Sequence, residues 1–262
     1  MPSDPKTKTR VRLAFLSLIV AFAVGAYFVS GLGRLQDDIS ARESRAALQG
    51  LTEPGQIEQA VRQHPSNRLL QMIAMAGRAA EETDAAVERI LDEVEPPSLA
   101  REVDLGKAAR ADLEALRREL KTAQANATVL GPRVGAVLAS ERDKVKSHAL
   151  ALRIGEPVVT GLLDVVDRRH AEITALMTKT SSARADYYRA RENYIGMLAA
   201  EAGTYKVVDG QFIFPFQRTV DRYNVAANAM TAASERVAAL NEDRKNQTQA
   251  AQARWLRFVN SL

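Results

Sequence analysis

The chain has 262 residues, of which 46% are hydrophobic but only 5% aromatic, so its core must be built mainly from Ala, Leu, Val and Ile, a palette that suits closely packed long helices rather than a β-sandwich or barrel. It has no cysteine, which excludes disulfides, thiolate metal sites and a lipid-bearing N-terminal Cys. Most of the net charge of +4 comes from Lys6, Lys8, Arg10 and Arg12 set against Asp4, and the near-neutral, interspersed charges of the remainder exclude the basic stripe that nucleic-acid binding requires.

From Leu13 to Leu32 the run LAFLSLIVAFAVGAYFVSGL carries no charge. At 1.5 Å per residue it is long enough to cross a hydrocarbon core of about 30 Å, and we read it as a transmembrane helix. The basic tail of residues 1–12, against the balanced Arg34, Asp37 and Asp38 beyond, places the N-terminus in the cytoplasm of a bacterial cell. The body then lies outside the inner membrane, in the periplasm where the envelope has two membranes, with only a short tail for any cytoplasmic output. The competing reading is a cleaved signal peptide and a soluble periplasmic body, since Ala21-Phe22-Ala23 has the small-x-small form of a cleavage site. The apolar run continues past that site through Val29 to Leu32, which a span needs and a cleaved peptide does not. Arg34 to Gly50 is polar and helix-forming and ends at Thr52-Glu53-Pro54-Gly55, so residues 33–65 read as a stalk or linker, with a short piece at Ile57 to Arg62.

The breaker His64-Pro65 and an N-cap at Ser66 open a helix whose apolar face is Leu70, Ile73, Ala76, Ala80, Val87, Ile90 and Val94, stopped by Pro96-Pro97. The next helix is expected to begin near Ser98. It spaces Ala109, Leu113, Leu116, Leu120, Ala123, Ala127 and Leu130 alternately four and three apart, which is a heptad seam. Gly131-Pro132 marks a kink or a tight turn, after which Val134, Val137 or Leu138, Val145 and Leu152 carry the pattern to a break at Ile154-Gly155-Glu156-Pro157. The longest seam follows: Val159, Leu162, Val166, Arg169, Ile173, Leu176, Thr180, Ala183, Tyr187, Ala190, Tyr194 and Met197. A helix of that length, roughly 45 residues and about 65 Å, needs packing partners along its whole face.

Gly203 closes it, and Tyr205 to Phe214 is the one β-prone segment. Asp209-Gly210 between two short β-prone runs predicts a type I′ hairpin, because both central positions of that turn need positive φ. Pro215 then fits the first turn of a last long helix with Val220, Tyr223, Ala227, Met230, Val237 and Leu240 on one face, continuing to Trp255 and Phe258. The fold class is therefore all-α: an N-terminal transmembrane helix, then an elongated antiparallel helical bundle or coiled coil over residues 66–262, with one small β-hairpin at 205–214. No repeat of solenoid length is visible.

Chemistry has few footholds. His64, His148 and His170 stand without a second His at ligand spacing, and Asp164, Asp167 and Glu172 lie among arginines in the manner of solvated helical ion pairs. Arg169 interrupts the longest seam. A charge there either fixes register or snorkels with only its stem buried, and snorkelling is the reading adopted. Without a phosphate loop, nucleophile elbow or Cys nucleophile, the chain is expected to be no enzyme and to carry no metal or cofactor site. Aromatic residues concentrate around the hairpin: Tyr187, Tyr188, Tyr194, Tyr205, Phe212, Phe214, Phe216 and Tyr223. They form either a small core that clamps the two long helices or a partner-binding tip presented by Tyr205, Lys206, Gln211, Phe212 and Phe214.

The stretch GTYKVVDGQFIFPFQRTVDRYN, Gly203 to Asn224, resembles the C-terminal region of a family of uncharacterised helical envelope lipoproteins of enterobacteria. There too a long helix leads to a Gly-turn hairpin ending in Phe-Pro, here Phe214-Pro215, and a helix opening toward a Tyr-Asn pair, here Tyr223-Asn224. The strong match covers under a tenth of the chain, and the lipid-carrying Cys is missing, so a membrane helix would replace the lipid anchor. The resemblance implies an envelope location and a helical fold, and no site residues. The expected function is a non-enzymatic scaffold or partner-binding arm, anchored in the bilayer and engaging a separate protein or further copies of itself. The alternative is an extracytoplasmic ligand-binding or sensory bundle that signals through a separate membrane partner.

Overall fold

A computed structural model describes residues 54–96, 99 and 103–259. The predicted basic tail, the transmembrane helix, the stalk as far as Glu53, and Pro97 and Ser98 lie outside these residues. Within them the protein is mostly helical with one small antiparallel sheet, and no helix there is long and apolar enough to cross a membrane. The helices are α1 (Pro54–Gln63), α2 (Arg68–Asp92), α3 (Arg110–Thr128), α4 (Leu130–Ala151), α5 (Glu156–Ala200) and α6 (Gln217–Val259), with β1 (Lys206–Val208) and β2 (Gln211–Ile213) between the last two. The described residues fall into two compact units, one of 54–88, 134–174 and 245–259, the other of 89–133 and 175–244.

In the first unit one apolar cluster joins four helices: Ile57 of α1, Leu70, Ile73, Ala76 and Ala80 of α2, Val145 and Ala149 of α4, and Val159, Leu162 and Val166 of α5. α1 falls inside the segment read as stalk, yet Ile57 and Ala60, three apart, are both buried, so this amphipathic turn belongs to the core. α2 begins one residue later than expected. Asn67, not Ser66, is its cap: the Asn67 carbonyl accepts the Gln71 N–H at 3.1 Å, starting the helical ladder, while its Oδ1 accepts the Leu70 N–H at 3.1 Å. Because Asn67 is itself buried, Asn67→Ala should lower stability by about 1–2 kcal/mol, read from the shift of the urea midpoint at unchanged slope. The break before Pro157 is made by Arg153, whose φ of 54° is left-handed, with the Ile154 N–H turned back onto the Ala149 carbonyl at 3.4 Å.

In the second unit α3 starts at Arg110, well after Ser98, because Asp104-Leu105-Gly106-Lys107 folds as a turn. The Asp104 carboxylate accepts the Gly106 N–H and its carbonyl accepts the Lys107 N–H, both at 3.1 Å, while Asp112 reaches back to the Ala109 N–H at 3.1 Å and opens the helix. The predicted seam is otherwise realised: Leu113, Leu116, Leu120, Ala123, Ala127 and Leu130 are all buried, and Ala109 is exposed at the cap position. Gly131-Pro132 produces only a one-residue interruption, Val129. Pro132 falls in the first turn of α4, where a missing N–H leaves no helical bond unmade. Asn126 donates to the carbonyls of Glu93 and Val94 and Arg184 to that of Leu91, so side chains of α3 and α5 satisfy the C-terminal end of α2.

Along α5 burial spreads from the predicted heptad positions to Met177, Tyr188, Ile195 and Leu198. A helix with 3.6 residues per turn drifts by about 20° per heptad against a 3.5-residue seam, so neighbouring positions rotate inward towards its C-terminus. α6 is less enclosed: Thr219 and Ala233 are its buried residues among those described, and the expected face at Val220, Tyr223, Ala227, Met230, Val237 and Leu240 is only half-buried.

Candidate functional site

The predicted hairpin forms with its predicted turn. Lys206 pairs with Ile213, Val207 with Phe212 and Val208 with Gln211, and φ is 51° at Asp209 and 77° at Gly210, the two positive values of a type I′ turn. Since side chains alternate across a strand, Tyr205, Val207, Phe212 and Phe214 share one face and Lys206, Val208, Gln211 and Ile213 the other. The first face joins an aromatic cluster: Tyr205 lies 5.1 Å from Phe212 and 5.7 Å from Phe214 between ring centroids, and Tyr223 of α6 lies 5.2 Å from Phe214 and 5.6 Å from Tyr194 of α5. Burial raises the pKa of the Tyr194 and Tyr205 phenols, and the Tyr194 and Tyr223 hydroxyls lie 3.4 Å apart, within hydrogen-bonding distance. Tyr187 and Tyr188 pair with each other instead, and Phe216 is exposed.

The five residues expected at a partner-binding tip therefore divide. Tyr205, Phe212 and Phe214 are members of the clamp. Lys206 and Gln211 stand on the outer face beside Val208 and Ile213, which are 54% and 50% exposed, with Phe216 close in sequence at 69%. Gly210→Val should cost about 1–3 kcal/mol, seen as a lower melting temperature. A Cβ at Gly210 would meet nothing within 4 Å, so that loss is purely one of backbone conformation, and Gly210→Asn should avoid most of it. An unchanged melting curve for the Val variant would remove the type I′ geometry from the account.

A second constellation went unread in the sequence. In the first unit Glu141 of α4 is completely buried, its side chain 0% exposed, and is held from two other helices. Arg169 of α5 donates through Nη1 to both Glu141 oxygens at 2.9 Å and through Nη2 to Asp84 of α2 at 2.5 Å. His170 Nε2 lies 3.2 Å from Glu141 Oε2, and Thr83 of α2 hydrogen-bonds the same carboxylate. Arg169 thus does not snorkel: it is almost fully enclosed and doubly paired, because two carboxylates face it from α4 and α2. Its Nε is buried without a hydrogen-bond partner, a burden of roughly 1–3 kcal/mol that an apolar side chain would not bring. Burial pushes the Glu141 carboxyl up, but the His170 hydrogen bond, the Arg169 and His170 charges and the Thr83 hydrogen bond outweigh it, leaving the pKa below its ordinary 4.5. On the rim, Arg142 and Asp167 form a bidentate pair at 2.6 and 3.0 Å, so Asp167 is bound between helices rather than simply solvated.

An open groove of about 740 Å³ runs between α5 and α6 in the second unit, lined by Asp186, Asn193, Met197, Val225, Ala229 and Arg236 among others. Among the described residues no group of three His, Cys, Asp or Glu side chains is placed to hold a metal ion. No protein-family model matches the chain, and neither a curated protein nor a solved structure matches it.

Proposed function

We propose that this chain is a single-pass, membrane-anchored protein of the bacterial envelope whose helical body acts as a non-enzymatic scaffold or partner-binding arm. The observation that carries the reading is the hairpin: a rigid clamp of Tyr205, Phe212, Phe214 and Tyr223 holds an outer face on which Val208 and Ile213 stand in solvent between Lys206 and Gln211. Apolar side chains displayed on a pre-organised turn make good contact anchors, because little entropy is lost when they are covered. The uncharged run Leu13 to Leu32 and the basic tail before it support the anchor and its direction. The resemblance of Gly203 to Asn224 to helical envelope lipoproteins supports the location.

The test uses the full-length protein. A reporter active only outside the cytoplasm, fused after Leu262, should be active, and activity of a cytoplasm-only reporter there would reverse the topology. Site-specific photo-crosslinking from Gln211 in intact cells should trap a defined partner band, and Val208→Asp combined with Ile213→Asp should abolish it without moving the melting temperature. Unchanged trapping in the double variant would take the hairpin out of the proposed contact surface.

A further inference from the structure

The buried charges occupy one layer of three apolar seams. In α2, Thr83 and Asp84 stand between Ala80 and Val87; in α4, Glu141 stands between Leu138 and Val145; in α5, Arg169 stands between Val166 and Ile173. The flanking positions are buried Ala80, Val145 and Val166 on one side and buried Leu138 with half-buried Val87 and Ile173 on the other, so sliding one helix by a turn, about 5.4 Å, would bring similar apolar side chains opposite one another again. Such layers discriminate weakly between registers. The charged layer does not tolerate the slide: Glu141 and Asp84 would face Val166 or Ile173, and the Arg169 ion pairs with both carboxylates would be broken inside the helix packing, leaving the guanidinium charge opposite apolar side chains. Yet the layer is poorly built for stability, since desolvating these ions offsets much of their attraction and the Arg169 Nε has no partner.

We propose that Asp84, Glu141, Arg169 and His170 form a register lock, a polar layer that selects one alignment of α2, α4 and α5 within the first unit and does so without adding net stability. Its action is to exclude shifted packings. A scaffold with repetitive seams needs such a device, because small-residue layers alone would accept several alignments.

The chain has no cysteine, so pairs can be introduced into the full-length, detergent-solubilised protein without background. Arg142→Cys with Asp167→Cys reports the native alignment, since these side chains meet at 2.6 Å, and Arg142→Cys with Asp164→Cys or with Ala171→Cys reports a slide of one turn either way. Each pair is treated with a short bis-maleimide in the native background and in a protein carrying Asp84→Leu, Glu141→Leu, Arg169→Met and His170→Leu together. The native layer should favour the 142–167 product several-fold over both shifted products. In the apolar-layer protein that preference should fall towards parity while the melting temperature stays level or rises. A level or higher melting temperature with undiminished preference would overturn the proposal, because apolar packing or the connections would then set the register. A lower melting temperature or failure to fold would also overturn it, because the layer would then be a net source of stability.

Discussion

Glu141→Leu, made alone, is expected to lower the stability of the protein by about 3–5 kcal/mol, the largest effect of any single change considered. The new side chain fits an apolar seam, so the loss does not come from packing. It comes from Arg169, which keeps its charge in the interior but loses the carboxylate that accepts two of its hydrogen bonds, and from Thr83 and His170, which lose the same acceptor. Denaturant unfolding measures it, and a loss under about 1 kcal/mol would mean that Arg169 finds water or another partner with little strain. The pH dependence has a definite sign. A carboxyl whose folded pKa lies below its unfolded value contributes its full stabilisation above the unfolded pKa, here about 4.5, and loses it as pH falls through the folded pKa. The gap in melting temperature between the native protein and Glu141→Gln should therefore be widest near neutrality and narrow below about pH 4.5. Asp167, held below its ordinary 3.8 chiefly by the Arg142 hydrogen bond, adds a smaller trend of the same sign at lower pH. A gap that stays constant down to pH 3 would show that the Glu141 charge is not what holds the layer.

Phe214→Ala should cost about 3 kcal/mol, the lower end of the range for a buried Phe, because the cluster opens to solvent at the hairpin and its rim can relax. Phe214 is the buried ring of the tip, and it touches Tyr205, Phe212 and Tyr223. Losing it removes the surface on which the hairpin rests and leaves a cavity between β2 and α6. Val208→Ala on the outer face of the same hairpin supplies the comparison, with an expected change within about 0.5 kcal/mol. Thermal unfolding followed by near-ultraviolet circular dichroism reads both. Equal effects would mean that the aromatic group does not clamp the hairpin.

The readable parts of this protein are those whose signal is local. Heptad spacing in α3 names Leu113, Leu116, Leu120, Ala123 and Ala127 as core, and all are buried, because helix geometry alone turns those positions to one side. Asp209-Gly210 names its turn for the same reason: the φ restriction belongs to the two residues themselves. Even the misplaced starts of α2 and α3 are local matters, settled by which of several cap-forming residues makes the bond. In α5 the predicted seam loses its place towards Tyr188 and Ile195 because rotation accumulates along the helix, which a list of heptad positions does not carry.

By itself, then, the sequence determined the long helices of the described residues, the hairpin and the buried side of α3, since these follow from backbone sterics and periodicity within a few residues. Only the tertiary structure decided which polar residues meet. Thr83, Asp84 and Glu141 sit at seam positions, but a search for apolar residues passes over them, and Arg169 taken alone is as compatible with snorkelling as with burial. Its fate depends on Asp84, 85 residues away in the chain, and on Glu141, 28 residues away. The same holds at the tip, where strand alternation divides eight residues into two faces but only Tyr194 and Tyr223, arriving from α5 and α6, pack against the rings of one face and leave Val208 and Ile213 in solvent. Burial of a charge or of a ring is set by what the chain brings against it from a distance, and that information is not contained in the spacing of the residues around it.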